Sequence, residues 1–181
     1  MKVEIEIPDG KKAEWVDGVL TLVDEKPQDI TERIKTLDDA VEALGDNHPL
    51  VSQCYRAIAA FKYDPMSENL IAYTKLRVIC AALNEGWKPT FNKDEHRYYP
   101  WLYMYTEEEY EKLYEEEKVH CVPLRSNNKA NAVGGLVYAY ASSAGSFSFT
   151  YYGVRLASKT QKLAEYCGKQ FIDIWVDFLF G

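Results

Sequence analysis

Four cysteines and three histidines are the residues of this 181-residue chain that could act as nucleophiles, general bases or metal ligands. None of the cysteines forms a CxxC pair, and His120 beside Cys121 is too short a motif to specify a zinc site. Cys121 could form a nucleophilic pair with His48 or His96. The sequence leaves this possibility open, because only the fold decides whether these distant side chains come into contact. The sequence has no phosphate-binding loop, GxSxG elbow, HExxH helix or EF-hand loop. We therefore expect a protein that is not an enzyme and that holds no cofactor and no metal ion.

The remaining cysteines fall on the apolar faces of predicted helices, and we expect them to be buried free thiols: Cys54, Cys80 and Cys167. Free thiols are typical of a reducing compartment. The charged, alternating N-terminus is unlike a secretory signal, and no apolar run approaches the roughly 20 residues that span a bilayer. The sequence therefore predicts neither a disulfide nor a membrane partner.

Charge is distributed unevenly along the chain. Residues 1–124 hold 15 basic and 25 acidic residues, a net charge of −10, whereas residues 125–181 hold 6 basic and 3 acidic residues, a net charge of +3. This basic excess is too small to indicate nucleic-acid binding by itself. The run 107–117 carries seven acids and one lysine. It predicts a solvated helix, with a cation site or a partner surface as the alternatives.

The elements that must position any site predict an α+β fold in a single domain, 1–181. Apolar alternation begins in 2–7 and continues on both sides of Asp17-Gly18, a strong hairpin signal, so we expect a three-stranded meander within 1–24. Apolar residues at three- and four-residue spacings predict helices within 36–87. Thr36 to Asp39 matches a capping box at the start of the first, Ser67 is suited to accept from the first turn of the last, and Gly86 is suited to follow the end of that helix.

The second half of the chain predicts an antiparallel unit closed by a long helix. Residues 98–157 contain aromatic and alternating stretches that indicate strands, with the acidic helix between them. Pro100 lacks a backbone donor and belongs at the start of a strand or on a sheet edge. An apolar stripe in 158–180 predicts a last helix that must dock on the body.

Within that unit, 137–152 predicts a hairpin that turns at Ser143-Ala144-Gly145. Alternate side chains of a strand point to opposite faces, so we expect one polar-aromatic outer face. Its members are Tyr138, Tyr140, Ser142, Ser146, Ser148, Thr150 and Tyr152. Tyrosine with serine and glycine is typical of adaptable binding surfaces. The alternative is a plain hairpin whose aromatic rings pack on the last helix as core.

A resemblance to uncharacterised proteins of phages and prophages of gut Bacteroidetes is carried by five segments: ALNEGWKP, YYPW, YGVRLASKTQKLAEYCGKQF, IEIPDGKKAEW and DITERIKTLDDAVEALG. It covers most of the chain and implies a phage or mobile-element origin without an established activity. The run Asn131 to Ala157 is also similar to the closing strands of C-type-lectin-like variable domains of diversity-generating retroelements. Those domains display Tyr, Ser and Asn for ligand binding, so this resemblance implies a display role for the hairpin.

Together these observations predict a non-catalytic, phage-encoded binding protein, either virion-associated or acting on a host component in the bacterial cytoplasm. Its Tyr/Ser-rich surface, flanked by Arg125 and Arg155, would meet a protein or a glycan, and a homo-oligomer stays open. The alternative is a single-stranded nucleic-acid-binding protein that uses tyrosines as stacking platforms and places Arg125, Lys129 and Arg155 on the backbone. A small enzyme with an unrecognised site is the third hypothesis.

Overall fold

The computed structural model describes residues 6–25, 27–64, 67–90, 94–124, 133–145 and 154–181. The chain forms two compact units, one that ends at Arg33 and one from Ile34 to Gly181. Helices and small antiparallel sheets make up the described part, so the predicted α+β class is confirmed. The expectation of one domain over 1–181 stays a prediction.

The first unit contains an antiparallel hairpin of β1 (Lys11–Val16) and β2 (Val19–Asp24), then one helical turn, α1 (Ile30–Arg33). Asp17 and Gly18 have positive φ angles of 49° and 79°, the backbone expected of an Asp-Gly hairpin turn. The predicted three-stranded meander is wrong, because this sheet has two strands. Residues 6–7 lie outside any strand and Ile7 is 47% exposed, so no burial supports the alternation there. Residues 2–5 lie outside the described residues.

Three helices open the second unit: α2 (Leu37–Leu44), α3 (Pro49–Phe61) and α4 (Glu68–Leu83). Helix α4 packs against both of the others and is the most buried of the three. The chain leaves α4 at Asn84 and turns at Gly86, whose φ of 80° is the left-handed conformation that glycine adopts without strain. The predicted helical region and its end are therefore confirmed.

Local hydrogen bonds decide where two of these helices begin. Thr36 and Asp39 form the predicted capping box at α2, since the Thr36 hydroxyl accepts from the Asp39 N–H and the Asp39 carboxylate accepts from the Thr36 N–H. Ser67, predicted to accept from the first turn of α4, instead donates its hydroxyl to Asp64 Oδ2 at 2.6 Å. That hydroxyl bonds to the preceding turn, so it does not cap the helix.

A three-stranded antiparallel sheet forms the second half of this unit. It contains β3 (His96–Tyr105), β4 (Cys121–Leu124) and β5 (Gly134–Gly145) in the order β3-β5-β4. Two short helices, α5 (Glu107–Glu111) and α6 (Glu115–Lys118), connect β3 to β4. The predicted turn at 143–145 is wrong, because these residues continue β5 and pair with the first three residues of β3. Strand pairing over a long range overrides the local turn preference of Ser-Ala-Gly.

Two helices end the chain where one long helix was expected. They are α7 (Gln161–Gln170) and α8 (Ile172–Phe180), separated at Phe171, whose φ of −115° and ψ of 29° interrupt the helix. Trp175 is fully buried, which confirms that the C-terminal apolar stripe docks on the body. Among the described residues, no helix is long and apolar enough to cross a membrane.

Candidate functional site

Helices α7 and α8 cover one face of the three-stranded sheet. The closest approach of α7 is at Gly168, where an added Cβ would lie 2.6 Å from both Pro100 Cβ and Tyr138 Cδ2. A small apolar core joins the sheet to α8 and contains Leu102, Val122, Leu124, Leu136, Val176, Leu179 and Phe180. The chain's own helices therefore cover this face around Pro100, Leu102 and Tyr138.

Five aromatic side chains point to the opposite face of the sheet. Tyr99 is only 3% exposed, so that end of the face is covered. We call the other four the aromatic sheet face: Trp101, Tyr103, Tyr105 and Tyr140. Trp101 stacks on Tyr140 with ring centroids 5.9 Å apart and planes 11° apart. Tyr103 meets Tyr105 edge-on at 4.8 Å between centroids. Tyr103 and Tyr140 are 48% and 56% exposed, so both rings retain area that a partner can cover.

A β-bulge decides which tyrosine of β5 joins this surface. Trp101 pairs with Tyr140 and Leu102 pairs with Tyr138, so Ala139 has no partner on β3. Adjacent residues of β3 point to opposite faces, so their partners do as well. The predicted common outer face for Tyr138 and Tyr140 is therefore wrong, because the extra residue reverses the alternation between them.

Tyr138 lies on the covered face, against α7. Its ring meets the position of the missing Gly168 side chain, and Lys169 Nζ lies 5.1 Å from the ring centroid. Burial, and then the negative charge of Glu165, raise the pKa of Tyr138. Tyr138 is therefore a packing residue in this structure.

The connection between β3 and β4 forms an acidic rim beside the aromatic sheet face; we use this name for residues 106–118, which carry seven acids and two lysines. Tyr110 of α5 lies over Gly135 of β5, where a Cβ would collide with its ring. Lys118 Nζ lies 5.7 Å from the Tyr110 centroid. These contacts hold the rim against the sheet.

The rim and the aromatic rings are electrostatically coupled. Burial raises the pKa of Tyr105, and the neighbouring Cys121, Glu117, Tyr103 and Glu109 raise it further. The phenolate form is therefore disfavoured, and the Tyr105 hydroxyl remains a neutral donor. Of these causes, only the negative charges of Glu117 and Glu109 would also attract a cationic ligand group.

Of the other residues predicted to bind, Ser142 lies on the same face as Tyr140, because no bulge interrupts the alternation between them. It pairs with Tyr99 and is half-buried. Arg155 is exposed on a 3₁₀ turn, Val154–Leu156. Six predicted binding residues lie outside the described residues: Arg125, Lys129, Ser146, Ser148, Thr150 and Tyr152. Of the predicted outer face, the structure therefore places Tyr140 and Ser142 on one face.

The hypothetical Cys–His pairs are not formed. Cys121 aligns with Val137 of β5, whereas His96 aligns with Gly145, which is roughly 25 Å further along that strand. His48 caps α3, where its Nδ1 accepts from the Leu50 N–H at 3.2 Å. The Cys121 thiol instead donates to the Glu117 carbonyl, with its Sγ 3.5 Å from the oxygen.

Three thiols are buried, as predicted, and all four cysteines are free: Cys54, Cys80, Cys121 and Cys167. A hydrogen bond with Cys167 and complete burial raise the pKa of Cys80 well above its ordinary value. Across the part of the chain that the structure describes, no group of three or more His, Cys, Asp or Glu residues is placed to hold a metal ion.

Sequence reasoning missed three members of the aromatic sheet face: Trp101, Tyr103 and Tyr105. The signal was present, because odd-numbered residues from 99 to 105 are all aromatic and a strand places them on one face. What the alternation did not indicate was whether a layer covers that face.

Comparison with known protein families, curated protein sequences and solved structures found no match for this chain. The function is therefore argued from the geometry of the described surface.

Proposed function

We propose that this chain is a non-catalytic binding protein of phage or prophage origin, which recognises a partner protein through its aromatic sheet face. The observation that carries the proposal is the exposure of Tyr103 and Tyr140 beside stacked Trp101, next to the acidic rim. The sequence resemblance supports the phage origin. The partner would be a virion component or a host protein.

Charge selects the kind of partner. A Lys or Arg side chain over a Trp or Tyr ring contributes about 0.5–2 kcal/mol, and carboxylates next to the rings attract the same cation. Glu109 and Glu117 are close enough to Tyr105 to raise its pKa, so their field reaches the aromatic sheet face. We therefore expect the partner to present basic side chains.

Rigidity favours recognition as well. The rings sit on strands, and the Trp101–Tyr140 stack and the Tyr103–Tyr105 contact restrict their rotamers before any ligand arrives. Less side-chain entropy is then lost on binding. Exposed aromatic residues at such positions are typical binding hot spots.

Single-stranded nucleic acid is the second candidate, because a stacked Trp–Tyr pair on an open sheet is also suited to stacking bases. The acidic rim opposes a polyanion, so we rank it below a basic protein.

The test selects peptides that bind the parent protein from a random peptide library. Peptides that also bind the Tyr103→Ser/Tyr140→Ser double variant are then removed, so that the retained peptides depend on the aromatic sheet face. Tyr63→Ser is the matched control, since Tyr63 is 89% exposed and follows α3. We expect the retained peptides to be rich in Lys and Arg, and to bind the double variant at least about tenfold more weakly. The control should bind like the parent.

Two further measurements separate the alternatives. Glu117→Gln, which keeps an oxygen for the Tyr114 N–H, should weaken peptide binding at low salt. Labelled oligothymidylate that binds with a steep salt dependence and is lost in the double variant would favour the nucleic-acid function instead. Retained peptides that lack basic residues, or that bind the double variant as well as the parent, would refute the proposal. In that case, a panel of oligosaccharides would test whether the aromatic sheet face binds a glycan.

A further inference from the structure

A cavity of about 310 Å³ lies in the second unit, between the end of α2, the start of α3, the last turns of α4 with the segment that follows it, and the 3₁₀ turn. Three basic side chains and an imidazole line it: Arg77, Lys88, Arg155 and His48. Among the described residues, no carboxylate lines this cavity, although the whole chain has a net charge of −7. The lining of the cavity is therefore positively charged, whereas the protein as a whole is negatively charged.

The cavity is built by hydrogen bonds that join segments far apart in the sequence. Asn84 is 5% exposed; its Nδ2 donates to the Ala157 carbonyl at 2.8 Å, and its Oδ1 accepts from the Lys159 N–H at 2.9 Å. Glu85 and Gly86 both have positive φ angles, which turn the chain after α4. The segment Trp87 to Pro89 then lines the same cavity as the last turns of α4.

Arg77 is held by neutral partners among the described residues. Arg77 Nη1 donates to Gln53 Oε1 at 2.8 Å, and its guanidinium carbon lies 5.9 Å from the Tyr73 centroid, so both partners are neutral. The nearby Glu85 carboxylate instead forms an ion pair with Lys159 at 3.1 Å. Arg77 therefore retains its full charge towards the cavity.

The remaining donor and the apolar wall complete the site. His48 Nδ1 accepts from a backbone N–H, so the ring proton lies on Nε2, which is a donor. Leu44 and Leu50 line the cavity together with the indole of Trp87. A helix C-terminus by itself attracts one cation. Lys88 and Arg155 come from other segments, so α4 alone does not explain them.

We propose that this cavity binds a small organic anion: a phosphate or carboxylate held by Arg77, Lys88 and Arg155, attached to a planar apolar body that lies against Trp87. The volume is at the lower end of the roughly 300–1,000 Å³ of ligand pockets, which suits a molecule with a single ring. The site is separate from the aromatic sheet face and does not depend on the function proposed for it.

The test is isothermal titration of the parent protein with phenyl phosphate, inorganic phosphate, benzyl alcohol and phenyltrimethylammonium. Phenyl phosphate carries both recognised features, so we expect it to bind about tenfold or more tightly than either inorganic phosphate or benzyl alcohol. Phenyltrimethylammonium has the same ring with the opposite charge and should not bind.

Variants locate the site. Arg155→Gln and Lys88→Gln should each weaken phenyl phosphate binding by about tenfold, since each removes a charged donor from an exposed position. Lys112→Gln, at an exposed lysine that follows α5 and lies outside the cavity, is the matched control and should bind like the parent. Thermal melts confirm that each variant is folded.

Any of three results would overturn the proposal. The first is no heat of binding for phenyl phosphate up to about 10 mM, and the second is equal affinity for phenyl phosphate and phenyltrimethylammonium. The third is a loss of phenyl phosphate affinity in Lys112→Gln as large as that in Arg155→Gln and Lys88→Gln. The double variant Tyr103→Ser/Tyr140→Ser should still bind phenyl phosphate like the parent, whether or not it loses peptide binding. The two proposals can therefore fail independently.

Discussion

Gly168→Ala changes the contact that decides which face of the sheet is covered. In an open helix this substitution stabilises by about 1 kcal/mol, because alanine has the higher helix propensity. Here the new Cβ would lie 2.6 Å from Pro100 Cβ and from Tyr138 Cδ2, well inside the usual 3.5–4.0 Å carbon contact. Overpacking of this kind costs about 1–3 kcal/mol. Pro100 is buried in the sheet and its ring cannot rotate away, so the upper part of that range applies.

The expected outcome is a net destabilisation of about 1–2 kcal/mol, which lowers the melting temperature by about 2–8 °C for a chain of this size. The assay is reversible thermal unfolding followed by circular dichroism, with urea unfolding as a second measure. Ser52→Ala, at an exposed position of α3, raises helix propensity without a collision and should leave stability equal or slightly higher.

A double variant tests the cause. Tyr138→Val removes one of the two collisions, so Gly168→Ala should cost less in that background, by about 0.5 kcal/mol or more. If Gly168→Ala melts at or above the parent temperature, α7 does not lie this close to the sheet. Tyr138 would then be free to face a ligand, and the division between the covered face and the aromatic sheet face would be wrong.

Two further predictions follow from the thiols and from the α2 cap. Cys121, the one cysteine among the four that is not buried, should react first with a thiol reagent in the native protein. The buried Cys80, whose Sγ donates to the Leu156 carbonyl, and the buried Cys167 should react only after unfolding. Mass spectrometry of partly labelled protein checks this, and early labelling of Cys80 would contradict it. Asp39→Asn should lower stability at neutral pH, because hydrogen bonds from the Lys35 and Thr36 N–H groups lower the pKa of Asp39 below 3.8. That stabilisation is fully present above the ordinary pKa of an Asp carboxyl and is lost as the pH falls through the lower folded-state pKa. The stabilities of parent and variant should therefore become equal in acid. A stability difference that does not change with pH would refute the role given to the Asp39 carboxylate.

Local chemistry in the sequence determined the elements whose geometry depends on neighbouring residues. The Asp17-Gly18 turn, the Thr36–Asp39 capping box and the turn at Gly86 just after α4 are all present as the sequence predicts. Each depends on backbone angles or hydrogen bonds within about four residues, which a short window of sequence contains. The spacing of apolar residues also predicted that a helix lies at α4, since a helix repeats every 3.6 residues wherever it packs.

Tertiary structure alone decided the surfaces that carry the proposed functions. Ser143 to Gly145 read locally as a turn, yet pairing with β3 keeps them in β5. The unpaired Ala139 separates Tyr138 from Tyr140, and a bulge arises from the register between strands far apart in sequence. The basic cavity likewise joins Arg77 to Arg155, two residues whose proximity depends on Asn84 reaching across to Ala157. Register and such cross-links are set by the packing of distant segments against one another, and no single segment contains that information.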